Sequence, residues 1–318
     1  MNAMEDVSRS ISTRIGCTLL VFAALLLLRD GILALFPLMT ASLGAVAAEI
    51  LENLFGALLY ALAFLLPWLF FKLLSRGYPT SRPSLRPTLS VDGLLCAFLA
   101  VAVTMLLAFV NAELVGLFGY DKFSDQVLWQ IDVGENYQVV LLFITMAVIP
   151  AFVEELLFRG LVLENLLPCG NTVAIFGSAF LFGVMHQNVG QILYATGAGL
   201  VIGWIYVRTR SLWPCILAHF INNLQSVVQI VLLDRLSASR AQMLLYVIQG
   251  TLLLLGTISA ILVLGKKKAD ETPNATLAET EQIPLGRRVK LFFSIPMLLF
   301  VGWCVANMAM LVWMAINF

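Results

Sequence analysis

Long apolar runs, most of them near 20 residues or more, alternate with short polar stretches along the chain and divide it into about nine segments. A helix that crosses a bilayer needs about 20 apolar residues, so the runs are read as membrane helices. In order they lie near Ile11–Phe36, Ile50–Leu74, Gly93–Phe118, Gln138–Leu167, Thr172–Gln187, Gln191–Val207, Leu212–Leu233, Met243–Gly265 and Val289–Phe318. The expected fold class is all-α: a polytopic transmembrane helical bundle of about eight to nine spans, with a polar cavity inside the membrane. It forms a single integral membrane domain over 1–318. N-terminal spans and a basic loop occupy 1–92, core helices 137–235, and a flexible polar linker 266–290 precedes a last span at 291–318.

The polar stretches differ in sign. Ser75–Ser90 carries Arg76, Arg82 and Arg86 among prolines, Arg208 and Arg210 follow the sixth run, and Lys266–Lys268 and Arg287, Arg288 and Lys290 flank the linker. Tyr120–Tyr137 instead carries Asp121, Asp125, Asp132 and Glu135 against Lys122. Basic loops stay in the cytoplasm, and nine spans with a cytoplasmic N-terminus satisfy every one of these stretches. That topology has one tension. It puts Glu154 and His219 in the inner half of the membrane and His186 toward the outer end of a short fifth segment. For the three to meet, the fifth segment must be tilted, partial or displaced.

Composition supports the membrane reading. Of 318 residues 60% are hydrophobic and 12% charged, whereas a soluble domain is about 25% charged. The net charge is zero, so no nucleic-acid footprint is present. The first run follows Arg9 and Arg14 and closes on Arg29-Asp30 rather than on a small-x-small cleavage site, which marks an uncleaved first helix. The five cysteines, Cys17, Cys96, Cys169, Cys215 and Cys304, lack paired spacing and read as small buried apolar residues. The chain has no glycine-rich phosphate loop, no Cys/His zinc framework, no serine nucleophile elbow and no internal repeat.

Against this apolar background one stretch stands out, Ile149-Pro-Ala-Phe-Val-Glu-Glu-Leu-Leu-Phe-Arg-Gly160. Each charged side chain at bilayer depth costs about 2.5–3.5 kcal/mol on insertion scales, so three unpaired charges would cost at most roughly 8–10 kcal/mol. Ionisable groups inside spans mark functional sites. On a helix Glu155 and Arg159 are four apart with the acid first, the favourable order for an ion pair. Glu154 is rotated about 100° away, and Leu157 and Phe158 occupy its i+3 and i+4 positions. One carboxylate is thus paired locally and one is left as a candidate proton acceptor. The bland alternative is a charged helix end at the membrane surface.

Two further motifs hold the chain's two histidines. In Phe182-Gly-Val-Met-His186 the phenyl ring lies one turn before the imidazole and can pack beneath it. In His219-Phe-Ile-Asn222-Asn223 the imidazole and the Asn223 amide share a face and can donate hydrogen bonds to an oxyanion. Alone, the first reads as an interfacial histidine and the second as polar glue between helices. Three such explanations at once, within about 65 residues, are less economical than one shared site.

Glu154-Glu155-x-x-x-Arg159, Phe182-x-x-x-His186 and His219-x-x-x-Asn223, in this order, resemble the CPBP intramembrane protease family, also called the Abi or type II CAAX prenyl endopeptidase family. The resemblance covers roughly Val139 to Gln225 with all three motifs intact. It implies an endopeptidase acting on a membrane-associated protein or peptide, prenylated in the case of eukaryotic members, in the lipid bilayer and with no nucleic-acid partner. It implies that Glu154 and His186 activate a water, that His219 and Asn223 stabilise the oxyanion, and that Glu155, Arg159 and Phe182 support the site. No cofactor is then required. The alternative is Zn2+ held by Glu154, His186 and His219, which would leave no free general base because Glu155 is occupied by Arg159. A bacterial cytoplasmic membrane is the expected location. Two other classes remain open: a non-catalytic peptide-binding or bacteriocin self-immunity protein, and a proton-coupled transporter. The absence of a second acidic motif in the other half of the chain disfavours the transporter.

Overall fold

A computed structural model describes residues 3–78, 80, 81, 83, 90–117, 133–265 and 283–317. Among the described residues the chain is helical, with no strand. The helices are α1 (Ala3–Thr40), α2 (Ala45–Leu74), α3 (Val91–Leu117), α4 (Asn136–Cys169), α5 (Asn171–Met185), α6 (Val189–Thr209), α7 (Leu212–Arg235), α8 (Ala238–Gly265), α9 (Leu285–Phe292) and α10 (Ile295–Asn317). Eight of them, all but α5 and α9, contain windows long and apolar enough to cross a membrane. The chain is an integral membrane protein built as a helical bundle.

The fifth apolar segment is the partial one. α5 has 15 residues, about 22 Å of helix, and is too short to cross. Its start explains its use. Gly170, at φ 97°, adopts a backbone conformation that side chains disfavour and reverses the chain directly after α4. Fifteen residues run back antiparallel to α4 from this turn, so they end about level with residues 154–155. The tension in the nine-span topology resolves this way: His186 sits at the depth of the acidic pair because its helix stops there. Gln187, at φ 52°, then turns the chain into α6. Glycines let the two helices close on each other. A Cβ on Gly199 would meet the Ala179 backbone at 3.0 Å, and one on Gly183 would meet the Ile192 carbonyl at 2.9 Å. Small residues at such crossings are the usual means of close packing in membranes.

α4 is not a uniform helix. Two π-helical stretches, Phe143–Val148 and Leu156–Leu163, flank an α-helical stretch, Ile149–Glu155, that ends on the acidic pair. Pro150 has no N–H to give the carbonyl four residues back, that of Met146. π-helical turns recur at functional sites.

Contacts define two ends of the bundle. At one end Arg287 pairs with Glu5 at 2.6 Å, Arg14 stacks on Tyr78, Arg210 pairs with Glu164, and the Asn165 side chain accepts from the Ser81 N–H. At the other, Glu49 of α2 accepts from Tyr137 and Gln138 of α4. The polar stretch at 266–290 is corrected in part. Residues 266–282 lie outside the described set, but Leu285–Phe292 is helix, with Phe292 buried against Gly177 and Arg287 on Glu5. One aromatic anchor and one ion pair fix a stretch whose composition reads as linker. The acidic loop at 120–132 and residues 79, 82 and 84–89 of the basic loop also lie outside the described residues. All five cysteines are free; Cys96, Cys169, Cys215 and Cys304 are buried.

Candidate active site

The three motifs converge from α4, α5 and α7 on one cavity of about 920 Å³, lined among others by Tyr60, Glu154, Phe182, His186, His219 and Asn223. Glu154 is 5% exposed, and Glu155 and Arg159 are fully buried. The acidic pair therefore faces inward, away from lipid.

Glu155 is the structural member of the pair. Its Oε1 accepts from Arg159 at 2.9 Å and from His219 Nδ1 at 2.8 Å. Arg159 also donates to the Gly199 carbonyl at 3.3 Å and lies over the Phe182 ring, 4.7 Å from its centroid. One buried cation thus ties α4 to α6 and α5. A carboxylate only accepts, so the bond to Glu155 places a proton on His219 Nδ1 and directs Nε2 into the cavity.

Glu154 is held differently. Its Oε1 accepts from the Tyr60 hydroxyl at 2.5 Å. Its Oε2 is buried, has no hydrogen-bond partner, and lies 4.0 Å from His219 Nε2. The carboxyl thus faces an imidazole inside the cavity rather than lipid or bulk solvent. His186 lines the same cavity and shares no hydrogen bond with Glu154. Its Nδ1 is 2.8 Å from the Phe182 carbonyl, which only accepts, so Nε2 is the acceptor nitrogen. Phe182 joins the motifs: its ring centroid is 4.8 Å from that of His186 and 5.9 Å from that of His219, edge-on to both. Asn223 does not bond His219. It donates to the Met146 carbonyl at 3.0 Å, the acceptor that Pro150 leaves without its helical donor. The second N–H of that amide remains for the cavity.

Among the described residues no three His, Cys, Asp or Glu side chains are grouped to hold a metal ion, Glu154, His186 and His219 included.

Residues 136–225 match the family model described as Type II CAAX prenyl endopeptidase Rce1-like. The matched span holds all three motifs. A Bacillus subtilis (strain 168) protein named "Putative membrane peptidase YdiL" is 28% identical over 108 residues, 34% of this chain and 43% of that protein. The chain therefore spans less than half the length of this relative. No solved structure matches the chain. Within the matched span, every motif residue singled out from the sequence lies at or against the cavity.

Tyr60 is the site residue that sequence reasoning missed. It comes from α2, outside the matched span and 94 residues before Glu154. One signal was available. Tyrosine favours the membrane–water interfaces, and Tyr60 stands in the middle of an apolar run.

Proposed function

We propose that the chain is an intramembrane endopeptidase that hydrolyses a peptide bond of a membrane-associated protein or peptide, with Glu154 as the base that activates water. The observation that carries this reading is the free Oε2 of Glu154, buried and 4.0 Å from His219 Nε2. Two groups at that separation can share one water at about 2.8 Å from each. His186 Nε2 supplies a further acceptor on the cavity wall.

Glu154 takes a proton from the water, and the oxygen adds to the scissile carbonyl carbon. The negative charge that forms on the carbonyl oxygen is met by the free N–H of Asn223 and by His219, which in its imidazolium form donates from Nε2. Glu154 then passes its proton to the leaving nitrogen. The C–N bond breaks, and a carboxylic acid and an amine are released, with the acid's proton passing to the amine through solvent to leave a carboxylate and an ammonium. Glu155 and Arg159 take no part in bond changes; they hold the His219 ring and its protonation pattern. The basic end of the bundle faces the cytoplasm in this reading, and the membrane is the cytoplasmic membrane of a bacterium.

The test is a panel of internally quenched peptides, transmembrane and isoprenylated, given to the purified full-length chain with and without a chelator. Cleavage that survives the chelator and disappears in Glu154→Gln and His186→Ala, both still folded, is the expected result. Full cleavage by Glu154→Gln, or loss of cleavage with the chelator, overturns the mechanism. Retained biological protection by Glu154→Gln in a bacteriocin challenge would instead favour a binding protein.

A further inference from the structure

Tyr60 lies outside the three motifs, yet among the described residues it makes the one side-chain hydrogen bond to the Glu154 carboxylate. We infer that Tyr60 is a positioning residue for the catalytic carboxylate, selecting which oxygen of Glu154 faces His219 and the water between them. This inference rests on the proposed endopeptidase function.

A glutamate side chain has two equivalent oxygens and rotates freely unless something distinguishes them. Here the phenol donates to Oε1 at 2.5 Å, within the short range of charge-assisted O–H···O bonds. Oε2 is thereby left to point at His219 Nε2. The ring itself is fixed. Its centroid is 4.7 Å from that of Phe64, which is fully buried and itself meets Phe22 of α1 edge-on at 4.7 Å. The Arg29 guanidinium lies 5.5 Å from the Tyr60 centroid on the same cavity, so the phenol stands between a cation and the reacting carboxylate. The α1–α2 pair therefore does more than enclose the helices that carry the motifs: it sets the aim of the base. Reacting atoms must be held close to their productive geometry, and a misplacement of about 1 Å costs on the order of 100-fold in rate.

The experiment uses the full-length chain and Tyr60→Phe, which keeps the ring and removes the donor. With a quenched peptide that the unmodified protein cleaves, kcat is expected to fall about 10- to 100-fold with KM within about twofold. Replacement of Tyr60 by 4-aminophenylalanine, which restores a donor, should recover most of that loss. Tyr60→Phe added to Glu154→Gln should cause no further loss, because the two act as one unit. A readout independent of substrate is the infrared carboxyl band assigned to Glu154 by its disappearance in Glu154→Gln. It should move in Tyr60→Phe. An unmoved band, or an unchanged kcat in Tyr60→Phe while Glu154→Gln is inactive, overturns the positioning role and leaves the endopeptidase reading standing. Full activity in Glu154→Gln overturns the role of Glu154 as base, absence of cleavage by the unmodified chain across the peptide panel overturns the endopeptidase reading, and in both cases the infrared band still decides what Tyr60 does.

Discussion

Two buried carboxylate clusters lie along α4, and they are built from similar parts. Nearer the basic end, Glu164 accepts from Tyr206 at 2.8 Å on one oxygen and from Arg210 at 3.0 Å on the other. Deeper in the bundle, Glu154 and Glu155 meet Tyr60, Arg159 and His219. Each cluster pairs a tyrosine with a glutamate, and each contains an arginine. In the first, both carboxylate oxygens have donors. In the second, Glu154 Oε2 and Glu155 Oε2 have none. A buried carboxylate oxygen without a donor is costly, and satisfied networks stiffen a fold. The comparison separates a tie between helices, which is saturated, from a site held ready for something absent from the protein itself.

The sharpest way to break the comparison is to neutralise one acid in each cluster. Glu154→Gln should lower cleavage by about 10²–10⁴-fold, the usual weight of a general base, while Glu164→Gln should stay within a few-fold of the unmodified rate; quenched-peptide turnover measures both. Second in size is Arg159→Ala. Removing one partner of a buried pair leaves an uncompensated charge and costs about 3–5 kcal/mol, so thermal unfolding in detergent should come at clearly lower temperature. Arg159→Lys should recover little, because a single ammonium does not reproduce bonds to both Glu155 and Gly199. Tyr206→Phe should cost about 1–3 kcal/mol by leaving a buried acceptor unmet, again read by thermal unfolding, with turnover unchanged. Arg210→Ala should cost at most about 1 kcal/mol, since its side chain is 54% exposed and exposed ion pairs contribute little.

Much of this was legible in the sequence, for physical reasons. Apolar runs reveal spans because lipid tolerates little else. Helical spacing alone paired Glu155 with Arg159 and packed Phe182 against His186, and both contacts are present, the ion pair at 2.9 Å and the rings edge-on at 4.8 Å. The rest required tertiary structure. Fixed spacing put His219 and Asn223 on one face, and both line the cavity, but it could not show that the asparagine also bonds Met146, whose carbonyl Pro150 leaves without its helical donor. The partner of Glu154 lies 94 residues earlier in the chain, where no local period can point. The partial nature of the fifth helix surfaced only as a conflict of depth, and the turn at Gly170 explains it. Residues 285–290 read as linker because the anchors of the helix Leu285–Phe292, Glu5 and Gly177, belong to other helices.

The stub-like α5 has a consequence for how this chain can change. Each helical residue adds about 1.5 Å and 100°. One residue inserted or deleted between Gly170 and His186 would therefore swing the imidazole to another face as well as shift its height. Substitutions along α5 can be absorbed by repacking, but its residue count acts as a ruler between a glycine hinge and a histidine tip, and rulers do not tolerate a changed length.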